Sequence, residues 1–342
     1  MAAVGEAAAR GEEPSAGVLA RLQTLMRGRP LSAEPLLIHG AIALRHGEVD
    51  RAERLLTAAR QRDPRNPAGR FLLADLYVRT GRPLPAMAEM SVLNRLLPRG
   101  AVQLAPALAA YAKTGGAAGQ LGTIVSAYPE LEQPLLEELA KDAANADLVL
   151  AIARRTAGPG PDREWKRSLS EALISAGQFA RARAVWERLT GATVPEAGLF
   201  NPGFDASDAP PPFNWQLTNS AAGVADPGSG GLDILYYGRA DVDLAAQTLL
   251  LMPGGYRLAM IVSGDVGEPG SLRWTVSCIG SSDRLLDLPL PPGAETRPVA
   301  GNFAVAEGCD AQTLRLTGVG GEFPKQAQLR ISGLQLARMG SQ

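Results

Sequence analysis

The spacing of apolar and polar positions changes character close to Gly191. Ahead of it, apolar side chains recur at three- and four-residue intervals, the period of a helix with one buried face. Val18, Leu19, Leu22, Leu25 and Met26 predict a short capping helix over residues 17–28 that stops at a glycine. Helices are predicted at about 35–46, 50–62, 67–80 and 84–96, with glycine turns at Gly47 and Gly81. Leu131, Leu135, Leu136, Leu139, Leu148, Val149, Leu150 and Ile152 predict two further helices broken near Ala144. A GPGP linker at 158–161 follows, and Trp165, Leu169, Ala172, Leu173, Gly177, Ala182 and Trp186 predict another helical pair.

Beyond Gly191 the period drops to two and the runs shorten, punctuated by Pro and Gly, as in antiparallel strands. Candidate strands are 198–204, 213–219, 221–225, 232–238, 246–252, 255–263, 271–279, 284–288, 301–306, 312–317 and 326–337. In one of them Tyr256, Leu258, Met260 and Val262 point one way and Arg257, Ala259 and Ile261 the other. That many short strands favours a two-sheet sandwich over a barrel. The expected architecture is therefore an α+β multidomain chain, an all-α solenoid followed by an antiparallel β-sandwich. Its expected parts are a disordered N-terminus (1–16), a helical repeat domain (17–190), a linker (191–197) and a sandwich (198–339).

Within the helical half one pattern is written twice, 34 residues apart: Gly47 returns as Gly81, Ala52 as Ala86, Pro64 as Pro98, and Gly40 as Ala74. Tyr111 and Gly115 continue the spacing from Tyr77 and Gly81, while Gln120 and Glu132 replace the Ala and Pro, which reads as a degenerate third copy. A fixed period of this kind marks stacked helix-turn-helix units that bury their apolar faces against neighbours. These residues resemble the tetratricopeptide repeat. The family has a small residue where helix A meets helix B (Gly40, Ala74), an Ala in helix B (Ala52, Ala86), a Pro closing it (Pro64, Pro98), and an aromatic matched by Tyr77 but by Ala43 in the first copy. The resemblance implies a groove that holds a protein partner.

The strand-rich half is similar to carbohydrate-binding modules of the galactose-binding-like jelly-roll kind, over about 197–338. LFNPGFD at 199–205, FNW at 213–215, QTLLLMPGGYRLAM at 247–260 and the closing AQLRISGLQLARM at 327–339 carry the likeness, with Pro202 where the family has Gly. The closing strand is expected to return beside the first. Glycan recognition on such a fold uses aromatic faces flanked by hydrogen-bonding groups. Candidate ligand-binding residues are Trp215, Tyr236, Tyr237 and Trp274 as platforms, with Asp241, Asp243, Gln247 and Arg273 as polar partners. A buried place in the core is the alternative for each aromatic. Asp205 and Asp208 stand where similar modules hold structural calcium, without further oxygen ligands to complete a site.

Charge and cysteine content narrow the picture. The net charge of -1 splits into 25 basic and 20 acidic residues over 1–195 and 9 and 15 over 196–342, about +5 and -6. No Lys/Arg stripe calls for nucleic acid. No run of about 18 apolar residues predicts a membrane span. Residues 1–28 contain no apolar core of signal-peptide length, which fits a cytoplasmic chain or a start lying further upstream. Cys278 and Cys309 both fall in the strand-rich half: a disulfide between them would favour the periplasm or cell envelope, and two buried thiols are the alternative.

Catalytic chemistry is sparse. No nucleophile elbow, P-loop, HExxH or CxxC is present. The only histidines, His39 and His46, lie seven apart on the first repeat helix with no further ligands at hand, so neither a metal nor a cofactor is expected. The strand-rich half contains no histidine and no carboxylate pair that stands out as a glycosidase site. The join of the two halves implies a non-catalytic adaptor, with repeats holding a protein and a sandwich recognising a polysaccharide of the cell envelope. A structural or assembly protein whose sandwich binds no sugar is the competing expectation.

Overall fold

The computed structural model describes residues 32–97, 105–112, 122, 125–153, 164–195, 198–281, 284–322 and 324–339, together with Gly17 and Thr24. The predicted capping helix apart from Gly17 and Thr24, the GPGP linker, the N-terminal 1–16 and the turn containing Gly115 lie outside the described residues. The chain divides into two compact units, Met1–Thr156 and Ala157–Gln342.

The first unit is helical: α1 (Glu34–Arg45), α2 (Val49–Arg62), α3 (Pro67–Arg79), α4 (Pro83–Leu96), α5 (Ala105–Ala112), α6 (Glu132–Leu139) and α7 (Ala146–Ala153). Between α1 and α2 the backbone reverses at Gly47, whose φ of 74° suits a residue without Cβ. Its counterpart Gly81 has φ 68°. The hydrogen bonds repeat with the sequence: Glu48 N–H donates to Ala43 O at 2.9 Å, and Arg82 N–H to Tyr77 O at 2.8 Å. Gly40 lets α1 and α2 touch, because a Cβ there would lie 2.6 Å from Leu56 Cδ2. Ala52, Leu56 and Ala59 on α2 and Leu73, Leu76 and Tyr77 on α3 pack into one apolar cluster. At α3 the chain restarts on Asn66, whose Oδ1 accepts the Gly69 N–H, followed by Pro67 in the first turn.

Successive helical pairs are also joined by charge. Glu89 on α4 is 2% exposed and bonds to Arg60 of α2 and, at 2.6 Å, to Arg70 of α3. Glu53 of α2 takes both Nη atoms of Arg82 at 3.0 and 2.9 Å, while the same guanidinium lies 4.9 Å from the Tyr77 ring centre. These contacts bridge neighbouring units, where a repeat protein concentrates its stability.

The second unit begins with helices α8 (Glu164–Ser175) and α9 (Phe179–Thr190), joined at Gly177 by the same turn: φ is 71° and Gln178 N–H donates to Leu173 O at 2.9 Å. This helical pair, expected within the repeat domain 17–190, falls in the same compact unit as the strands. The physical reason is Trp186, fully buried on α9. Its ring meets Phe200 and Phe213 edge-on at 5.3 and 5.7 Å, and its Nε1–H donates to Pro210 O at 2.8 Å.

Ten strands follow: β1 (Gln216–Leu217), β2 (Gly223–Gly228), β3 (Gly231–Tyr236), β4 (Val242–Leu249), β5 (Gly254–Asp265), β6 (Leu272–Cys278), β7 (Arg284–Pro289), β8 (Arg297–Val305), β9 (Gln312–Gly318) and β10 (Ala327–Arg338). They form two five-stranded antiparallel sheets, β1-β4-β9-β6-β7 and β2-β3-β10-β5-β8. Leu272, Trp274, Val276, Leu314 and Leu316 of the first sheet share one core with Ile234, Tyr236, Leu258, Met260 and Ile331 of the second. The stretch 198–204, expected as the opening strand, is a loop with positive φ at Asn201 (51°) and Phe204 (56°), closed by Asn201 Oδ1 accepting the Asp205 N–H. The closing β10 pairs with β3 and β5 and not with β1, which belongs to the other sheet. Cys278 and Cys309 form a disulfide with Cα atoms 5.6 Å apart. It ties the end of β6 to the turn entering β9.

Candidate functional site

In the first sheet, alternation along β6 and β9, and along β4 on either side of a bulge between Asp243 and Ala245, sends the apolar side chains inward and leaves a polar set on the opposite face. The register arranges that set in three rows across the strands. One row is Asp243, Thr317 and Arg273, on β4, β9 and β6. The next is Gln216, Ala246, Arg315, Thr275 and Asp287, spanning all five strands. Thr248, Thr313, Ser277 and Arg284 make the third.

Neighbouring polar groups hold one another. Thr317 Oγ1 donates to Asp243 Oδ1 at 2.9 Å, and Arg315 Nε is 3.6 Å from Asp243 Oδ2. Asp287 accepts from Arg273 Nη1 at 3.1 Å and from Arg284 Nη1 at 2.8 Å. All these ion pairs are partly solvent-exposed, so each adds little to stability, about 0–1 kcal/mol. Their effect is to fix side-chain directions on the face.

Over the β1-β4-β9 part of this face lies a cavity of about 460 Å³. Its floor includes Gln216, Asp243, Thr248, Thr313 and Arg315, while Glu171, Ile174 and Ser175 of α8 and Pro212 form walls. The Thr248 N–H donates to Pro212 O at 2.8 Å, which holds the lead-in segment against β4. Donors and acceptors converge on a site in the size range of small-ligand pockets.

Of the eight residues read from the sequence as ligand-binding, Asp243 and Arg273 lie on this polar face, in one row. Three of the aromatic platforms are corrected. Trp274 and Tyr236 have no exposed surface, and Trp215 retains 7%. Trp215 stacks on Phe204 at 4.7 Å, meets Trp274 edge-on at 5.9 Å, and donates its Nε1–H to Asn201 O at 2.9 Å. Tyr236 donates its hydroxyl to Ala240 O at 3.0 Å, and burial together with nearby Asp241 raises its pKa. Trp215 and Tyr236 carry their polar tips into the core satisfied, whereas Trp274 is buried by its bulk with its indole N–H lacking a hydrogen-bond partner among the described residues. Tyr237 is half-buried beside them in sequence. Among the described residues of this unit no aromatic side chain is exposed.

Two polar candidates serve the scaffold. Buried Gln247 pairs with Phe200 twice, accepting its N–H at 3.0 Å and donating to its carbonyl at 2.9 Å, so the amide is consumed in pinning the lead-in loop although the residue borders the cavity. Asp241 accepts the Gly320 N–H at 2.8 Å and organises a loop. Asp205 and Asp208 are exposed, and among the described residues no group of three or more metal-ligating side chains comes together.

Sequence reasoning missed Gln216, Thr275, Asp287, Thr313, Arg315 and the α8 residues Glu171 and Ser175. For the strands the signal was available, because LRWTVSC and QTLRLTG alternate apolar with polar at every position from Leu272 to Ser277 and from Thr313 to Thr317. The α8 residues carried no such signal. Their place depends on how the helical pair packs.

In the first unit His39 is half-buried, and desolvation, reinforced by Arg51, lowers its pKa below the usual histidine value. His46 is exposed at the end of α1. Phe71 is half-buried on α3, and the Tyr111 side chain lies outside the described residues.

Residues 43–112 match the tetratricopeptide repeat family model. Among curated proteins, the chain is 31% identical over 172 residues to Cellulose synthase 2 operon protein C of Komagataeibacter xylinus, a match covering 50% of this chain and 11% of that relative. The chain thus spans a small fraction of that protein's length. Similar solved structures include a CBM4 module (TM-score 0.34, 11% identity, 41% of this chain and 99% of that one). The N-terminal cellulose-binding domain of Cellulomonas fimi β-1,4-glucanase C gives TM-score 0.30 at 17% identity, over 42% of this chain and 99% of that one. YrrB, a TPR protein with an unusual peptide-binding site, gives TM-score 0.29 at 11% identity, over 50% and 91%. All three superpose at TM-scores below 0.5, and the fold described above stands on its own helix turns and strand pairs.

Proposed function

We propose that the protein is a non-catalytic adaptor in the assembly of an envelope polysaccharide. Its repeats hold a protein partner, and the polar face of the first sheet contacts the glycan. The observation that carries this reading is the set of three polar rows converging on the cavity beneath α8. Hydroxyl-rich chains are matched by such fixed donors and acceptors, and the buried aromatics leave hydrogen bonding, not ring stacking, as the mode of recognition. The named relative suggests a β-1,4-glucan as the first polymer to try. The Cys278–Cys309 disulfide supports an oxidising compartment such as the periplasm. No described helix is long and apolar enough to cross a membrane.

Native affinity electrophoresis of the full chain through gels containing a soluble β-glucan tests the glycan half of this reading. Retardation that the Arg315→Ala and Thr275→Val substitutions weaken together is the expected result. Unretarded migration in every glucan gel would remove it.

A second reading is favoured by one observation, the burial of Trp215, Tyr236 and Trp274. With those rings committed to the core, the sandwich serves as a rigid assembly module and its polar face meets only water. Under this reading pull-downs with the full chain recover proteins and no glycan.

A further inference from the structure

Four strands lie at the edges of the two sheets, β1 and β7 of the first and β2 and β8 of the second. An edge offers unpaired N–H and C=O groups to another strand, and folded proteins blunt it by shortness, charge, proline or a bulge. Three of the four edges are blunted in these ways. β1 has two residues. β2 carries Asp226 and Pro227, and its Ala225 N–H already donates to Thr218 O at 2.8 Å. β7 displays exposed Arg284 and Asp287, and a register shift between Val276 and Ser277 interrupts its pairing with β6. β8 is different. Its nine residues pair with β5 in one unbroken register, from Val262 opposite Arg297 to Gly254 opposite Val305. No charged side chain falls between Arg297 and Glu307. Pro298 stands near the start of the strand and leaves the rest of its edge open.

The hydrogen-bonding direction of this edge follows from the ladder. Met339 N–H donates to Gly255 O at 2.9 Å, so Gly255 and every second residue of β5 after it turn their backbone groups toward β10. Tyr256, Leu258, Met260 and Val262 therefore bond to β8, opposite Phe303, Gly301, Val299 and Arg297. The backbone groups of Pro298, Ala300, Asn302 and Ala304 are left pointing to the open edge. Pro298, which has no N–H to give, fits that direction. Those four side chains are exposed, while Val299, Phe303 and Val305 are buried in the core.

We infer that β8 pairs antiparallel with β8 of a second copy of this chain, about a two-fold axis at Asn302, joining two five-stranded sheets into one of ten strands. The inference concerns assembly and does not rest on the glycan reading. Strand addition at an open edge draws its affinity from backbone hydrogen bonds, and a two-fold axis makes the contact self-complementary. Charge selects the register. With Asn302 on the axis, Ala300 faces the partner's Ala304, and Arg297 comes level with the partner's Glu307 at both ends of the contact. A shift that puts Gly301 on the axis sets Glu295 against the partner's Glu307, two like charges. Arg257 Nη1 donates to Asn302 Oδ1 at 3.3 Å, which holds the amide on the outer face beside the axis. One strand pair buries less surface than a standard interface, so the dimer is a weak one that forms as concentration rises.

Sedimentation velocity of the full chain over a concentration series tests this, with a short bismaleimide cross-linker to locate the contact. Both native cysteines are held in the disulfide, so the reagent reads only an introduced thiol. The expected result is a reversible monomer–dimer equilibrium, with Asn302→Cys cross-linked to its own copy and Asp226→Cys, on the blunted β2 edge, not cross-linked. Ala300→Pro removes an N–H from the open edge and should weaken dimerisation at least about tenfold, with the unfolding temperature unchanged. Asn302→Lys sets two like charges at the axis and should do the same, which keeps the test decisive if Ala300→Pro fails to fold. Glu307→Lys should weaken the dimer, and adding Arg297→Glu should restore it. A monomer at every concentration would overturn the inference and leave the edge to a strand of another protein. A dimer that Ala300→Pro and Asn302→Lys leave intact, or one that cross-links through Asp226→Cys, would overturn it too.

Discussion

The two units use their buried polar groups differently. In the helical unit the best-connected ones are charged and cross between helices: buried Glu89 answers Arg60 and Arg70, half-buried Glu53 answers Arg82, and buried Asn145 adds a neutral amide that donates to Leu139 O. In the second unit the buried charge, Lys166 of α8, donates to Leu189 O within the helical pair, while between the strands the buried groups are neutral amides that imitate backbone. Gln247 pairs with Phe200, and Gln312 accepts the Leu251 N–H at 2.9 Å while donating to Cys309 O and to Leu251 O. A repeat array must specify which unit stacks on which, and a charge that fits one register does that. A sandwich has its register fixed by strand pairing already, so it needs only to anchor loops to strand ends. Charge is then free to appear on an outer face, where a ligand can reach it.

The sharpest break in this contrast is Trp186→Ala. If α8 and α9 were the last repeat of the array, their loss would leave the sandwich untouched. With Trp186 buried among Phe200, Phe213 and Pro210, the substitution should destabilise the sandwich by about 3–5 kcal/mol, seen as a lower midpoint in chemical unfolding followed by near-UV circular dichroism. An unchanged sandwich transition would return the pair to the repeats.

Next comes the disulfide. The Cys278→Ser, Cys309→Ser double variant should cost the sandwich about 3–4 kcal/mol, because the bond closes a long loop in the unfolded chain. The repeat transition should stay where it was. A shift in both transitions would mean that the two units unfold together.

The same break in the helical unit is smaller. Glu89→Ala leaves Arg60 and Arg70 without their carboxylate, but both guanidiniums retain some access to water, so the expected cost is about 2 kcal/mol, below the value for a fully buried pair. Far-UV circular dichroism during thermal unfolding reads it, and the sandwich transition is the internal control. Glu89→Gln should recover part of the loss by keeping hydrogen-bond acceptance.

How much of this was legible in the sequence follows the same contrast. Gly47, Gly81 and Gly177 announced the helix turns because a positive φ needs a glycine, and all three turn identically. The sandwich was legible through alternation, and the alternation that placed Trp274 beside Leu272, Val276 and Cys278 already assigned it to the inner face. Treating it as a ligand platform ignored that assignment. The opening stretch misled for a local reason: Asn201 and Phe204 adopt left-handed backbone, which no period-two pattern reveals. The place of α8 was hidden, since a helical pair with the repeat's own turn carries no mark of packing on strands. Only Trp186, Phe200 and Phe213 taken together decide it.

The smallest effect is a pH dependence confined to the repeats. His39 has a folded pKa below its unfolded value of about 6.5, so the unfolded chain binds the proton more readily. The stability that neutral His39 contributes is present above about pH 6.5 and declines as pH falls through the folded pKa. Unfolding midpoints of the helical transition between about pH 7 and pH 5 should fall slightly more in the wild type than in His39→Gln. Identical slopes would mean that burial of this ring is not felt.

The central claim, that the polar face of the first sheet binds glycan, has its most direct test in calorimetry of the full chain with cellohexaose. The comparison is between the wild type and an Arg315→Ala, Thr313→Val double variant. Both side chains point away from the core, so the unfolding temperature should not move. The account predicts wild-type binding weakened at least about tenfold in the variant, as expected for removing two hydrogen-bonding groups. Binding of equal strength in the two proteins, or none in the wild type, would contradict it.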